Sequence, residues 1–123
     1  MAYDRNNVFA RILRGEIPCN KVYEDVQVLA FHDISAQAPT HVLVIPKGEY
    51  VSLDDFSAKA SEAELAGLMR ALGHIARSRG VAESGYRIIA NNGSAAHQEV
   101  PHFHVHVLGS RDLGAMLPSV RKA

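Results

Sequence analysis

Several features that mark other protein classes are scarce in this chain of 123 residues. Its 13 basic and 13 acidic side chains cancel, and no Lys/Arg stripe marks a face for nucleic acid. No apolar run approaches the length of a membrane span, and the first residues, MAYDRNN, lack the basic-then-apolar pattern of a secretory leader. We therefore expect no nucleic-acid partner, no membrane contact and a cytoplasmic location.

Cysteine is also nearly absent, since Cys19 stands alone. It cannot form an intrachain disulfide, which suits a reducing compartment. A lone cysteine is more often a small buried hydrophobe than a nucleophile. The length is typical of one domain with a real core, so we predict a single domain over 1–123, with residues 1–7 as a polar, frayed arm and residues 112–123 as a tail.

Hydrophobic periodicity predicts two helices. The segment NVFARILRGEIP has apolar residues at helical spacing and indicates a short amphipathic helix that stops at Gly15 and Pro18. The segment SEAELAGLMRALGHIARSRG predicts a long helix with a capping box of Ser61 and Glu64 and a stop at Gly80. Its predicted apolar stripe consists of Leu65, Leu68, Met69, Leu72, Ile75 and Ala76.

Five β-rich runs complete the pattern. NKVYED and VQVLAFHD indicate a hairpin that turns near Asp25, THVLVIPK a strand that ends at Pro46, GYRIIANN a fourth strand and VPHFHVHVLG a fifth. Short connections and one major helix predict an α+β domain with a five-stranded antiparallel sheet, covered on its apolar face. The other face is expected to stay open to a ligand.

Histidines are clustered in one short segment of this sequence. In the fifth run His102, His104 and His106 alternate with Phe103, Val105 and Val107. Period-two alternation sends the three imidazoles to one face of a strand and the apolar side chains to the other. Scattered surface histidines are common and need no functional explanation. Three histidines on one face of a single strand are harder to explain in this way.

A shared metal ion is disfavoured by this spacing, because His102 and His106 would stand roughly 13 Å apart on a strand with about 3.3 Å rise per residue. No cysteine or carboxylate cluster is evident to complete a ligand set, and we expect no metal and no cofactor. Neutral imidazole can instead attack an anionic centre, for which phosphorus is the natural target. The loop NNGSAAHQE could supply backbone N–H groups and the amides of Asn91 and Gln98 to phosphate oxygens, although loop statistics alone favour a solvated connection.

The run QEVPHFHVHV resembles the histidine triad (HIT) superfamily, whose mark is three histidines that alternate with hydrophobic residues after a glutamine. FARILRGEIP and LAFHDISAQAPTHVLVIPK are similar to the Hint branch, the nucleotide-binding phosphoramidases, so the resemblance covers residues 8–111. It implies that His104 is the nucleophile and that His102, His106 and His41 position it and contact phosphate and leaving group. Asp33 would hold the ribose hydroxyls and Asn91 would orient the phosphate side.

The resemblance also implies a nucleotide pocket. Its members would be Val8, Phe9, Ile12, Ile17, Phe31, His32, Asp33, Ile34, Asn91, His97, Gln98, Glu99 and Val100. Three departures concern the leaving group: His97 replaces the usual glycine, Glu99 replaces a hydroxyl residue, and the tail SRDLGAMLPSVRKA lacks tryptophan. The Glu99 carboxylate would repel a phosphate if it pointed inward, so it should turn away or meet a cationic amine.

The function implied is hydrolysis of the P–N bond of purine nucleoside phosphoramidates by a homodimer, in which the long helix and the YRIIAN strand meet their twins to make a ten-stranded sheet. The first alternative is a dinucleoside polyphosphate hydrolase of the Fhit type, which uses the same triad. The second is a nucleotide sensor or partner-binding module with vestigial activity.

Overall fold

The computed structural model describes residues 2–118, in which five strands form one antiparallel sheet. The strands are β1 (Lys21–Glu24), β2 (Val28–His32), β3 (Thr40–Pro46), β4 (Tyr86–Ile89) and β5 (Val105–Gly109). Their order is β1-β2-β3-β5-β4, so the last strand inserts between β3 and β4, with every pairing antiparallel. The α+β class and the five-stranded sheet are confirmed.

Within residues 2–118 four α-helices accompany the sheet, two more than the sequence predicted. They are α1 (Val8–Leu13), α2 (Leu53–Lys59), α3 (Glu62–Ser78) and α4 (Val81–Ser84), with a 3₁₀ turn at Ser94–Ala96. The missed α2 has its own start signal, because the Ser52 side chain accepts a hydrogen bond from the Asp55 amide. Among residues 2–118, no helix is long and apolar enough to cross a bilayer.

The long helix α3 confirms its predicted start and most of its predicted apolar stripe. Ser61 and Glu64 form the reciprocal capping box. Leu68, Leu72 and Ile75 are buried, but Leu65 and Met69 are exposed. The prediction was wrong for these two residues because the sheet covers only part of the helix surface.

The two faces of the sheet carry two separate apolar clusters. Alternate strand residues pack with α3 and α2 in the first cluster, which consists of Val28, Ala30, Val42, Val44, Phe56, Leu68, Ala71, Leu72, Ile75, Phe103, Val105 and Val107. The second is smaller and consists of Phe9 from α1 with Leu29, Phe31, Leu43 and Ile45. The second face is therefore partly covered by α1, which narrows the expected open face to a cleft.

The predicted histidine strand is shorter than expected. β5 begins at Val105, its pairing with β3 starts at Val44↔Val105, and only His106 of the three histidines lies within it. The preceding segment takes other partners, because the Phe103 amide donates to the Tyr50 carbonyl and the Pro46 carbonyl accepts from the His102 ring. A strict period-two register from 102 to 106 is therefore wrong, although Phe103, Val105 and Val107 share the apolar core as expected.

Residues of the predicted N-terminal arm and of the predicted C-terminal tail make specific hydrogen bonds. Asn7 is buried and caps α1, since its side chain accepts from the Ala10 amide at 2.9 Å. The Arg87 guanidinium donates to the carbonyls of the tail residues Leu113, Gly114 and Ala115. The frayed arm is thus wrong for the part up to Asn7, while the predictions for residues 1 and 119–123 lie outside the described residues.

Candidate active site

Neighbouring strands bring two of the predicted catalytic histidines together. His41 lies on β3 opposite Leu108, and His106 lies on β5 opposite Leu43, so the two imidazoles are diagonal neighbours on one face. Nε2 of His41 lies 2.9 Å from Nδ1 of His106. The resemblance predicted a role for both residues, but their hydrogen bond follows from the pairing of β3 with β5 and was not predicted.

The protonation pattern of this pair follows from the surrounding donors. The Gln37 amide donates to Nδ1 of His41 at 3.0 Å, so neutral His41 carries its proton on Nε2 and donates it to Nδ1 of His106. Neutral His106 then carries its own proton on Nε2. Asp33 faces the pair, with Oδ2 at 3.3 Å from Nε2 of His41 and 4.0 Å from Nδ1 of His106.

The other two triad histidines are fixed by main-chain carbonyls. Nε2 of His102 lies 2.9 Å from the Pro46 carbonyl, and Nδ1 of His104 lies 2.7 Å from the carbonyl of His102. A carbonyl only accepts, so both of these nitrogens carry protons. Neutral His104 therefore keeps a free lone pair on Nε2, which is the form that a nucleophile needs.

Burial keeps these imidazoles neutral. It lowers the pKa of His102 to about 4 and, together with the neighbouring His104 and His41, lowers the pKa of His106 to about 4. Burial also lowers the pKa of His104 and of His41, against which the nearby Asp33 carboxylate acts in the opposite direction. At neutral pH the cluster offers lone pairs rather than positive charge.

Asp33 is the carboxylate that lies beside the histidines. Asp33, His41 and His106 each place one ligand atom within 4.8 Å of the others, so a single carboxylate joins two histidines from neighbouring strands, an arrangement that spacing along one strand did not predict. His102 turns away from this group to Pro46. Within the cluster the hydrogen bond between His41 and His106 already uses the nitrogens that an ion would need.

A cleft of about 550 Å³ opens over His104 and His106. Most of the predicted nucleotide-pocket residues line it, namely Val8, Phe9, Ile12, Ile17, Phe31, His32, Asp33, Ile34, Asn91, His97, Glu99 and Val100. The Phe9 ring meets the His104 ring edge-on at a centroid distance of 4.9 Å, so an aromatic side chain borders the central histidine. Ile34 is fully exposed and so stands at the rim.

Two predicted pocket residues use their side chains elsewhere. Nε2 of His32 accepts from the Arg79 guanidinium at 2.8 Å, so the ring stands on the opposite face of β2 from Phe31. The Gln98 amide donates to the carbonyls of Val51 and Val100 and accepts from the Gly93 amide. Gln98 thus braces the loop and is absent from the cleft wall.

One residue in the loop before β5 has an unusual backbone conformation. His97 has φ 57° and ψ 42°, the left-handed conformation that glycine adopts without steric cost. Its neighbour Glu99 lines the cleft and also a second cavity of about 590 Å³ beside α2. Two of the three departures noted in the sequence, His97 and Glu99, therefore lie at the cleft wall.

Several residues of the site escaped sequence reasoning. The cleft wall also includes Pro18, Cys19, Asn20, Ser35, Gln37, Leu43 and Ala96. Tyr3 of the N-terminal arm reaches Nδ1 of His102. No local pattern announces these contacts, because they join segments that are far apart in the sequence.

Fold and site together define an α+β protein with a buried histidine cluster at a cleft. The family model described as HIT domain matches residues 14–113. The chain belongs to the HIT family.

Relatives and solved structures agree with this membership. The chain is 67% identical over 115 residues to an uncharacterised 13.2 kDa HIT-like protein of Azospirillum brasilense, which covers 94% of each chain. It is 46% identical over 110 residues to the purine nucleoside phosphoramidase of Escherichia coli strain K12, which covers 89% of this chain and 92% of the relative. A HIT family hydrolase from Clostridium thermocellum superposes with a TM-score of 0.84 at 40% identity, over 94% of this chain and 99% of that one.

Proposed function

We propose that this protein hydrolyses the P–N bond of purine nucleoside 5′-phosphoramidates through a nucleotidyl-histidine intermediate on His104. The observation that carries the proposal is the hydrogen bond from Nδ1 of His104 to the His102 carbonyl at 2.7 Å. It leaves Nε2 unprotonated at the floor of the cleft. The 46% identity to an Escherichia coli protein named purine nucleoside phosphoramidase supports the choice of bond and nucleoside.

In the first step Nε2 of His104 attacks phosphorus, the new N–P bond forms and the bond from phosphorus to the amine breaks. When the substrate phosphate binds beside Asp33, the two negative groups raise the proton affinity of the pair of His41 and His106, which takes up one proton from solvent. The pair passes this proton to the departing nitrogen. Water then attacks phosphorus, releases the nucleoside monophosphate and returns one proton to the pair. His102 is an unsuitable acid, because its two nitrogens are occupied by Tyr3 and Pro46.

The nucleoside would occupy the apolar part of the cleft. Phe9 and Phe31 meet edge-on at 5.6 Å and, with Ile12 and Ile17, form an apolar wall suited to a purine ring. We retain Asp33 as the acceptor for the ribose hydroxyls and Asn91 as the group on the phosphate side. Oδ1 of Asp33 already accepts from the Ser35 amide, which fixes the carboxylate at the cleft edge.

The proposal includes a homodimer. β4 is an edge strand of the sheet, and its Tyr86, Ile88 and Ile89 are exposed, as are Leu65 and Met69 on α3. An exposed apolar edge strand is a surface that proteins normally cover. A twin chain would cover it and extend the sheet to ten strands. We keep the cytoplasmic location within the proposal, since a lone Cys19 suits a reducing compartment.

A substrate panel on one preparation tests the reaction. Adenosine and guanosine nucleotides with P–N, P–O–P and P–S bonds are compared, with His104→Ala as the matched control. We expect fastest turnover of the P–N substrates, no loss after chelation of metals, and a transient adduct of one nucleotide on the peptide that carries His104. Preference for the P–O–P substrates would favour the dinucleoside polyphosphate hydrolase, and tight binding without turnover would favour the sensor.

A mapped adduct decides the mechanism. Rapid quench with mass spectrometry should find it in the wild type and not in His104→Ala, which should still bind nucleotide. An adduct on His102 or Cys19, an active His104→Ala enzyme, or activity that is lost on chelation and restored by zinc contradicts the proposed chemistry.

A further inference from the structure

We propose that Tyr3 is a positioning residue for the nucleophile, acting through His102, and that the N-terminal segment 2–7 is therefore part of the active site. The inference rests on the proposed function, because it takes Nε2 of His104 as the attacking atom. The Tyr3 hydroxyl lies 2.5 Å from Nδ1 of His102, 99 residues away in sequence. The two rings also meet edge-on at a centroid distance of 5.6 Å.

The direction of this hydrogen bond is fixed by the other side of the His102 ring. Nε2 of His102 faces the Pro46 carbonyl at 2.9 Å and must donate to it. Nδ1 of the neutral ring then holds a lone pair, so the Tyr3 hydroxyl is the donor. Burial raises the pKa of the Tyr3 phenol, which keeps it protonated, and His102 itself is completely buried.

The link to His104 runs through the main chain of His102. The His102 carbonyl accepts the proton on Nδ1 of His104 at 2.7 Å. A His102 ring held at both nitrogens fixes the orientation of its own peptide group and so the place of that carbonyl. Without Tyr3 the ring can rotate or exchange tautomers. His104 then loses alignment with its acceptor and can move its proton to Nε2, the form that cannot attack phosphorus.

The segment that carries Tyr3 is anchored rather than frayed. Asn7 donates to the Asp4 carbonyl at 2.7 Å and accepts from the Ala10 amide at 2.9 Å, and Arg14 donates to the Arg5 carbonyl at 2.8 Å. These contacts tie the segment to α1. The same helix supplies Phe9, whose ring borders both His104 and His102. Tyr3 is thus presented to His102 by the element that also forms the wall of the cleft.

The test compares Tyr3→Phe with Tyr23→Phe. The Tyr23 hydroxyl donates to Asp25 at 2.7 Å, and its ring packs against His74 of α3, so the control removes a similar hydrogen bond away from the cleft. For Tyr3→Phe we expect kcat to fall roughly three- to tenfold with KM changed less than about twofold, the loss typical of one hydrogen bond. The control should leave both constants unchanged, and thermal unfolding should show that both variants are folded.

A spectroscopic readout separates positioning from general destabilisation. In ¹⁵N-histidine NMR, wild-type His102 and His104 should be neutral, with protons on Nε2 and Nδ1 respectively. In Tyr3→Phe the Nδ1 resonance of His102 should move toward the value of an unbonded nitrogen, and His104 should gain the Nε2-protonated tautomer. An unchanged kcat with unchanged tautomers overturns the proposal, as does an equal loss of kcat in Tyr23→Phe.

The outcomes also distinguish this inference from the function on which it rests. If the wild type neither hydrolyses phosphoramidates nor forms an adduct, the proposed function fails. Tyr3 is then judged on the NMR comparison alone: a shift of the His104 tautomer in Tyr3→Phe supports positioning, and an identical spectrum overturns it.

Discussion

The two faces of the sheet are built from the same strands but have different chemistry. On the face toward α3, alternate positions of β2, β3 and β5 are Val28, Ala30, Val42, Val44, Val105 and Val107, all apolar and buried. On the face toward α1, apolar residues such as Leu43 alternate along the sheet with His41 and His106. One face is ordinary core, and the other buries histidine rings that are held by hydrogen bonds.

This difference shows how buried histidines are kept in a small domain. Among residues 2–118, no buried side-chain nitrogen or oxygen lacks a hydrogen-bond partner, although His41, His102 and His104 are all less than a tenth exposed. Two main-chain carbonyls, the Gln37 amide, the Tyr3 hydroxyl and the neighbouring His106 serve as hydrogen-bond partners, and together they select the tautomers. The α3 face should therefore control stability, whereas the α1 face should control reactivity.

Replacement of the central histidine should produce the largest effect. His104→Ala is expected to lower kcat/KM for a purine phosphoramidate by about a thousandfold or more, because the attacking atom is gone. Steady-state kinetics measure the loss, and nucleotide binding by calorimetry serves as the control for an intact cleft. If His104→Ala kept activity near the wild-type value, the face toward α1 would not supply the nucleophile.

The matched change on the α3 face should have the opposite profile. Ile75 is completely buried in the first apolar cluster, so Ile75→Ala should lower the free energy of unfolding by about 2 to 5 kcal/mol through lost contacts and a cavity. Per folded molecule, kcat and KM should stay at the wild-type values. Urea unfolding and kinetics on the same sample check both statements, and a large fall in kcat would show that the two faces are coupled.

The proposed contact between Asp33 and the ribose hydroxyls can be tested with a substrate that lacks the 2′-hydroxyl. The wild type should favour an adenosine phosphoramidate over its 2′-deoxy form by about 1 to 3 kcal/mol in kcat/KM, since Asp33 would be left without a donor. Asp33→Ala should abolish the preference. Asp33 also faces His41, so Asp33→Ala could change the rate of the chemical step as well. Such a change would affect both substrates equally and would cancel in the ratio of their kcat/KM values. A preference that survives the substitution would refute the assignment.

Acid should weaken the fold through the histidine face. The pKa values of His102 and His106 are lowered to about 4 in the folded protein, against about 6.5 in an unfolded chain. Between these values the unfolded state binds more protons, so stability should fall as the pH drops from about 6.5 to 4. The expected loss is about 1.4 kcal/mol per pH unit for each histidine. Urea unfolding at several pH values measures it, and His106→Asn should show a smaller slope than the wild type. Equal slopes would contradict the neutral cluster.

The smallest predicted effect concerns the loop at the cleft entrance. His97 holds a left-handed backbone, so His97→Gly should raise the free energy of unfolding by about 1 kcal/mol or slightly less, after the entropy that glycine adds to the unfolded chain. Denaturant midpoints measure this gain. His97→Ala, which keeps the strain, is the control and should show none.

Local sequence patterns are sufficient to predict the periodic elements and the family resemblance of this chain. The capping box of Ser61 and Glu64, the hairpin at Asp25 and the strand that ends at Pro46 are local patterns, and the structure contains each of them. The resemblance carried by QEVPHFHVHV likewise named residues that line the cleft. Local propensity and side-chain period suffice here, because each signal is contained in fewer than about 20 neighbouring residues.

The hydrogen-bond partners of the histidines, in contrast, depend on contacts between distant segments of the chain. In the folded protein β5 is shorter than predicted, and the His32 ring contacts Arg79 rather than the cleft. The Gln98 side chain braces the loop before β5, and Tyr3 contacts His102. His41 pairs with His106 beside Asp33. These contacts join segments up to 99 residues apart, and their geometry depends on the order of strands across the sheet. A period along the chain says which way a side chain points, but the packing of distant segments determines which atom it meets.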